Sequence, residues 1–287
     1  MSTTRRLADL ALIALATAGL GASASAERAV GSRLLSGEVE LGVRAISGDD
    51  WSSAKNEEYR DQRPGVFGNA RLLLEDPANG RYVRALLRDV GERDERYELE
   101  LGRYGRSRLR AWYGELPHVW SSQALSFFDP GTDEELVAGP LTSVPLRTRL
   151  RDGGVELRLR TDRPWEFEVD YRMLERRGTM PSSIGFGNPG DNFLNFSRPV
   201  DETTHEVNAS GRWVGDGWNL EAGYTGSWFR NELDRLVVPN EPMSSTFGLA
   251  TEGQLSLAPD NAAHTLRLSG GADLPFAFPA RLAATLA

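Results

Sequence analysis

Side chains that could perform chemistry are few in this chain and lie far apart. The sequence holds no Cys, which excludes disulfides, thiolate metal sites and covalent haem attachment through Cys-x-x-Cys-His within it. Its three His residues are His118, His205 and His264, and none shows the His-x-x-x-His spacing of a helical metal site. We therefore expect this chain to bind no metal or cofactor of its own.

Three other patterns resemble catalytic or binding motifs but lack the required spacing or context. Residues 129–135 offer carboxylates that could take Ca²⁺, but their spacing is not that of an EF-hand, and a solvated acidic loop is the alternative. Residues 185–190 are Gly-rich but open no helix, which argues against a nucleotide site. Ser, His and acidic residues occur without a Gly-x-Ser-x-Gly context, so we expect no catalytic residues and no enzyme.

The composition is that of a folded, mildly acidic protein. Hydrophobic residues make up 40% of the chain, and the net charge is -8. An acidic balance argues against nucleic acid as a partner, because phosphate binding needs a basic face.

The first residues match a secretory signal. Arg5 and Arg6 are followed by an apolar stretch over 10–20 and by the small residues Ala24 and Ala26 around Ser25. The apolar stretch is too short for a transmembrane helix, which needs about 20 residues. We predict a signal peptide over 1–26, an N-terminal periplasmic lead over 27–37 and the N-terminal part of an outer-membrane β-barrel over 38–287.

From residue 38 onward the hydropathy pattern has a period of two, which is typical of strands with unlike faces. Residues 165–173 alternate most regularly, and residues 65–75 and 81–90 alternate poorly. The predicted strands are 38–46, 65–75, 81–90, 95–102, 106–115, 146–160, 165–176, 203–214, 218–230, 263–273 and 280–287. The sixth changes phase at 152–154, which predicts a β-bulge there.

The connections between these strands alternate in length. Short turns lie at 76–80, 103–105, 161–164, 215–217 and 274–279. Long connections lie at 47–64, 116–145, 177–202 and 231–262, and 91–94 alone breaks the alternation. Short turns at one end and long loops at the other are typical of an outer-membrane barrel, whose turns are periplasmic.

Side-chain placement agrees with membrane strands. The aromatic residues Tyr113, Trp165, Trp218 and Trp228 lie towards strand ends, where interfacial girdles occur. The charged faces are complementary across two hairpins. The expected pairs are Glu98 with Arg110, Glu100 with Arg108, Arg158 with Glu168, and Arg160 with Glu166. The solvated face of a soluble sheet is the alternative explanation for the alternation.

An odd strand count suggests an incomplete barrel, because bacterial single-chain barrels use even numbers. The sequence also stops within the strand-like residues 281–287, without an aromatic terminal residue. We therefore expect an all-β, antiparallel transmembrane β-barrel that is incomplete, with about 11 strands of a larger barrel present.

An ordered series of segments resembles the MtrB/PioB family of outer-membrane barrels that accompany decahaem c-type cytochromes. The resemblance covers about residues 37–287, and the order of the segments is more specific than any one of them. The segments are residues 56–61, 101–106, 115–118, 170–172, 176–181, 199–204, 257–261 and 264–271.

The resemblance implies an outer-membrane electron conduit. The barrel would sheathe a periplasmic multihaem c-type cytochrome, and an extracellular multihaem cytochrome would be a further partner. Haem would then belong to the partner and none to this chain. His118 could contact a terminal haem or the partner, with a solvated loop His as the alternative, whereas His205 and His264 would begin strands. A solute-conducting porin and an outer-membrane hydrolase are the alternative functions.

Overall fold

The computed structural model describes residues 21–44, 58–59, 64–129, 134–162, 164–186, 193–240, 250–273 and 280–286. Among these residues no helix is long and apolar enough to cross a membrane. They form fourteen strands. The strands are β1 (Gly21–Val30), β2 (Arg33–Arg44), β3 (Gly65–Asp76), β4 (Arg81–Val90), β5 (Arg96–Arg103), β6 (Ser107–Asp129), β7 (Val137–Arg160), β8 (Trp165–Gly185), β9 (Phe193–Gly215), β10 (Trp218–Asn231), β11 (Arg235–Pro239), β12 (Glu252–Ser256), β13 (Asn261–Ala272) and β14 (Ala280–Leu286).

Twelve of the strands form one antiparallel sheet. Their order is β1 to β10, then β13 and β14, so each strand pairs with its neighbour in the chain. β11 and β12 form a separate two-stranded sheet. Within the described residues β1 and β14 do not pair with each other, so the sheet is an antiparallel barrel wall that is not closed.

All eleven predicted strands are present, and β1, β11 and β12 are additional. β1 pairs with β2 along its whole length and contains the predicted cleavage site at Ala24–Ala26. Residues 27–37, the predicted lead, lie in β1, the turn after it and β2. Residues 1–20 lie outside the described residues, and the signal peptide stays a prediction.

Two of the predicted long loops are wrong over most of their length. Residues 116–129 and 137–145 belong to β6 and β7, and residues 177–185 and 193–202 belong to β8 and β9. These four strands have 23, 24, 21 and 23 residues. A tilted strand needs only about 9–11 residues to cross a bilayer. The hydrogen-bonded ladder therefore continues past any membrane-crossing segment at the long-loop end.

Burial shows which way the sheet curves. Glu100 on β5 is 8% exposed, whereas Leu99 and Leu101, which point to the opposite face, are 44% and 39% exposed. Side chains on the concave face of a sheet crowd together, while those on the convex face splay apart. The charged face is therefore concave and the apolar face convex, the reverse of a soluble barrel filled by apolar side chains.

The predicted bulge at 152–154 is wrong. Asp152, Gly153 and Gly154 pair without a register shift on both β6 and β8. The phase changes because the convex face itself changes character, from Val155 to Arg151. A true irregularity lies between Gly68 and Ala70, where the β3–β4 register shifts.

Candidate functional site

The concave face carries a ladder of ion pairs across β4 to β8. Neighbouring strands contribute Arg and carboxylate side chains that meet across each strand pair, some directly opposite each other and some diagonally. The pairs are Arg84–Glu100 at 3.5 Å, Arg110–Glu98 at 2.8 Å, Arg108–Glu156, Arg158–Glu168 at 2.6 Å, Arg160–Glu166 at 2.7 Å and Arg172–Asp152 at 2.9 Å.

The predicted charge pairs are largely confirmed. Arg158 lies opposite Glu168, and Arg160 lies opposite Glu166, as expected. In the β5–β6 hairpin the register differs by two residues, because Glu100 lies opposite Arg110. Arg110 still reaches Glu98 diagonally, whereas Arg108 turns to Glu156 on β7 instead of Glu100. The ladder thus continues from the first hairpin into the second.

This ladder contributes more to the electrostatics of the face than to stability. Most of its Arg side chains are partly exposed, and exposed ion pairs contribute about 0–1 kcal/mol each. Mutual pairing leaves little net field on this part of the face. A neutralised but polar wall can lie against water or against a polar protein surface.

The concave face changes character on β9, β10 and β13. The positions that face inward there include small polar residues such as Ser210 on β9, Thr225 and Ser227 on β10, and Thr265 on β13. Gly223 lies between Ser210 and Arg267 on the same face. Charged side chains share this part of the face, because Glu206 and Arg212 on β9, Glu221 on β10 and Arg267 on β13 also point inward.

The convex face carries one aromatic belt close to the short turns. Trp165 lies opposite Trp213, and Trp213 lies 3.6 Å from Trp218, measured between ring centroids. The rings of Trp165 and Phe167 stack at 5.7 Å. We call these residues the short-turn aromatic belt.

A second belt crosses the convex face at the other end of the apolar band. Tyr97 and Tyr113 stack at 6.5 Å on β5 and β6. Further along the sheet, Tyr171 Oη lies 2.8 Å from His205 Nδ1, and Tyr224 Oη lies 2.9 Å from His264 Nδ1. Trp228 packs edge-on against His264. We call these residues the long-loop aromatic belt.

The separation of the two belts matches a membrane. Trp218 and Trp228 lie ten residues apart on β10. Ten residues extend about 33 Å along a strand, and a tilt of about 40° reduces this to about 25 Å along the membrane normal. Outer-membrane barrels have an apolar band about 25 Å tall between aromatic girdles. The predicted girdle residues Tyr113, Trp165, Trp218 and Trp228 all lie in these belts.

The three His residues do not meet. His205 and His264 belong to the long-loop aromatic belt, and His205 lies well inside β9 instead of beginning it. His118 lies in β6, not in a loop, and stacks on Tyr59 at 4.6 Å with its Nε2 3.4 Å from Glu58 Oε1. Among the described residues no group of His, Asp or Glu could hold a metal ion.

The acidic segment 129–135 and the Gly-rich segment 185–190 are only partly described by the structure. Residues 130–133 and 187–190 lie outside the described residues. Glu134 accepts a hydrogen bond from Arg235 at 3.1 Å, and the backbone of Leu136 bonds to Val237 at 2.9 Å. These contacts give Glu134 a structural partner in β11.

A compact cluster of buried apolar side chains lies at the long-loop end of β6 to β9. We call it the long-loop core. Its buried members are Phe128, Leu136, Phe186, Phe196, Leu236 and Val238. Asn240, which follows β11, is fully buried, and its amide donates to the Ala250 carbonyl at 2.7 Å. Sequence reasoning missed this cluster, because its parts come from strand extensions and from the β11–β12 hairpin.

In the short turn after β3, outside the membrane band, a hydrogen bond changes the pKa of Asp76. The Asn79 amide donates to the Asp76 carboxylate at 2.9 Å. This hydrogen bond lowers the pKa of Asp76 below its ordinary value of 3.8, with smaller contributions from the turn backbone and Arg33. The Asp76 carboxylate therefore helps to stabilise this turn when it is deprotonated.

An open antiparallel sheet with a charged concave face and an apolar convex face between two aromatic belts defines an outer-membrane β-barrel. A family model described as outer membrane beta-barrel porin, MtrB/PioB, matches residues 46–283. The chain belongs to this MtrB/PioB family and is an outer-membrane protein.

Individual relatives cover different shares of the chain. Outer membrane protein MtrB of Shewanella baltica (strain OS185) is 29% identical in an alignment 195 residues long, and the alignment covers 61% of this chain and 27% of that protein. This chain thus matches about a quarter of the relative's length. Among solved structures, the chain is similar to the loop L8 deletion mutant of OmpT, an outer membrane protein of Vibrio cholerae. The TM-score is 0.34 and the sequence identity 14%, and the match covers 92% of this chain and 83% of that one. The in-vitro folded OmpT gives a TM-score of 0.33, 14% identity and coverage of 92% and 77%.

Proposed function

We propose that this chain forms part of a scaffold barrel that sheathes a multihaem c-type cytochrome for electron transfer across the outer membrane. The concave face is the observation that carries the proposal. Its charges are paired with one another on β4 to β8, and on β9, β10 and β13 small polar side chains alternate with charged ones such as Arg212 and Glu221. Such a polar wall can lie against a folded polar protein whose surface carries complementary charge.

The residue types of this chain indicate that the haem groups belong to the cytochrome. A chain without Cys cannot attach c-type haem, and the three His residues lie too far apart to ligate a haem chain. In the proposal the cytochrome carries every haem, and this chain performs no catalysis. The long-loop end would face an extracellular multihaem cytochrome, because long loops lie outside the cell in this class of barrel. Membership of the MtrB/PioB family supports the same assignment.

Cysteine accessibility tests this proposal, because the chain has no native Cys. Thr225→Cys places a thiol on the concave face of β10, and Ala222→Cys places one on the convex face of the same strand. We expect a water-soluble thiol reagent to label Thr225→Cys in outer membranes without the cytochrome and to label it several-fold more slowly with it. Ala222→Cys, the matched control, should stay unlabelled in both membranes because lipid covers it.

A solute-conducting porin is the second candidate, and the porin description of the matched family favours it. It predicts that Thr225→Cys is labelled equally with and without a cytochrome and that the protein passes ions when reconstituted into bilayers. Equal labelling together with a haem-free, ion-conducting preparation would overturn the scaffold proposal. An outer-membrane hydrolase has no comparable support in the geometry.

A further inference from the structure

The long-loop core lies on the concave side of the barrel wall. Ile184 on β8 and Phe196 on β9 stand an even number of residues from Glu168 and Arg212, which point to the concave face. The β8–β9 register between these positions runs without a shift, so Ile184 and Phe196 point to the same face. Both pack in the long-loop core together with residues of β11 and β12. The β11–β12 hairpin therefore lies inside the wall, on the lumen side.

The hairpin packs on the concave face as a second layer. Gly253 on β12 lies so close to the wall that a Cβ at this position would stand 2.7 Å from the Phe186 ring and 2.9 Å from the Ile184 side chain. Leu236 and Val238 on β11 are fully buried in the same core. Stacked sheets pack about 10 Å apart, so the hairpin narrows the lumen on this side by about that distance.

The hairpin extends across the wall from β10 to the start of β7. It leaves the wall after Asn231, the last residue of β10. On its other side, the Leu136 N–H donates to the Val237 carbonyl at 2.9 Å, and the Val237 N–H donates to the Glu134 carbonyl at 2.7 Å. β8 and β9 lie between β10 and β7 in the sheet, so the hairpin spans three strand spacings, about 14 Å.

Hydrogen bonds fix both ends of the hairpin. At its base, the Asn231 side-chain amide donates to the Ala258 carbonyl at 3.0 Å, and the Asn231 backbone N–H donates to Asp260 Oδ1 at 2.8 Å. At its far end, the Asn240 backbone N–H donates to the Thr251 carbonyl at 2.8 Å. With these bonds at its ends and the apolar core beneath it, the hairpin is a fixed part of the wall. We call β11 and β12 together the lumen ledge.

The lumen ledge stands outside the membrane. Phe196, which packs beneath it, lies nine residues beyond His205 of the long-loop aromatic belt along β9. Nine residues extend about 30 Å along a strand, and a tilt of about 40° reduces this to about 23 Å along the membrane normal. A headgroup layer is only about 5–8 Å thick on each side of a bilayer. The ledge therefore narrows the lumen beyond the headgroups, on the long-loop side.

One face of the ledge is open to the lumen. Leu236, Val238 and Leu255 pack into the core, so the residues that alternate with them point away from the wall. Val237 and Pro239 are apolar and half-buried, and exposed polar side chains flank them. An apolar centre with a polar rim is typical of a protein–protein interface. The open positions are Arg235, Val237 and Pro239 on β11 and Glu252, Gln254 and Ser256 on β12.

We propose that the open face of the lumen ledge is the docking surface for the outer end of the multihaem cytochrome that the barrel sheathes. The inference rests on the proposed function, and it names the place in the lumen where that partner stops. The cytochrome enters from the short-turn end and ends against the ledge, because the ledge narrows the lumen by one packed layer. Its outer end then lies beyond the headgroups, where an extracellular partner can reach it.

Thiol labelling in outer membranes tests the docking surface, because the chain has no native Cys. Gln254→Cys places a thiol on the open face of the ledge, and Ser183→Cys places one at a similar height on the convex face of β8, next to Ile184. We expect a water-soluble thiol reagent to label both variants without the cytochrome and to label Gln254→Cys several-fold more slowly with it. Ser183→Cys, the matched control, should react at the same rate in both membranes.

Equal labelling of Gln254→Cys in the two membranes would overturn the docking surface. If Thr225→Cys is protected in the same membranes, the scaffold proposal stands and only the role of the ledge is wrong. If Thr225→Cys is also labelled equally, both proposals fail together. Equal slowing of Gln254→Cys and Ser183→Cys would also overturn the docking surface, because the protection would then not be confined to the lumen.

A disulfide tests whether the ledge keeps its place when the lumen is occupied. Glu135 and Val237 form a parallel β-bridge, so Glu135→Cys with Val237→Cys brings two thiols together. We expect mild oxidation to cross-link this pair equally with and without the cytochrome, and the cytochrome to co-purify with the oxidised and the reduced protein alike. If the cytochrome prevented the cross-link, or if oxidation released the cytochrome, the ledge would have to move aside for it, and a fixed docking surface would be wrong.

Discussion

The long-loop core and the membrane band place the same residue types in opposite positions. In the long-loop core, Phe128 and Leu236 are fully buried at 1% and 0% exposure. In the membrane band, Phe167 and Val169 on β8 are 41% and 45% exposed. Both regions belong to the same sheet or pack against it, and β6 and β8 run through both.

The difference lies in the solvent. At the long-loop end, apolar side chains face water unless they cluster, so a hydrophobic core forms there. In the band, the apolar face meets hydrocarbon, and the polar groups turn to the concave side. The inversion on β7 from Val155 to Arg151 marks the boundary between these two regimes.

The largest expected effect is in the long-loop core. Phe128→Ala removes a ring that packs edge-on against Phe196 at 6.5 Å, and it should destabilise this region by about 3–5 kcal/mol. Hydrogen exchange of the β11 and β12 amides measures the loss, and the band should keep its protection. Phe127→Ala is the matched control, because Phe127 is 53% exposed on the same strand. Similar exchange in the two variants would contradict a core sustained by burial from water.

A charge in the membrane band tests the other side of the comparison. Val169→Arg places a guanidinium on the convex face between the two aromatic belts. We expect a loss of about 2–4 kcal/mol in the free energy of unfolding from lipid vesicles, because charge at the bilayer midplane is poorly solvated. Thr225→Arg, on the concave face of β10, should cost far less. If both variants lost the same stability, the convex face would not be the lipid face.

Much of the band could be predicted from the sequence, and little of the long-loop core could. Alternation in 165–173 predicted β8, and charge complementarity predicted the Arg158–Glu168 pair, because both signals are local. The long-loop core joins Phe128 to Leu236, which are far apart in the sequence, and no local pattern specifies that contact. The supposed bulge at 152–154 arose because a change of solvent and a change of register produce the same phase shift in hydropathy.

The ion-pair ladder should contribute less than either apolar region. Arg158 and Glu168 are about half exposed on the concave face, and their Nη–Oε distance is 2.6 Å. A double-mutant cycle with Arg158→Gln and Glu168→Gln should give a coupling of about 0.2–1 kcal/mol. At 1 M salt the screening length falls to about 3 Å, so the coupling should weaken. A coupling that is large and insensitive to salt would mean that water does not reach this part of the concave face.

The smallest expected effect is at the turn after β3, which lies outside both regions. Asn79→Ala removes the amide that holds the pKa of Asp76 below 3.8, so that pKa should rise towards 3.8. Because the folded pKa is lowered, the charged carboxylate stabilises the turn above about pH 3.8, and this contribution is lost as the pH falls through the folded pKa. A carboxyl NMR titration gives the pKa directly. The stability difference between the variant and the parent should persist at neutral pH and disappear in acid. A difference that survived at low pH would instead indicate that Asn79 acts through the turn backbone, where its N–H bonds to the Asp76 carbonyl at 3.2 Å.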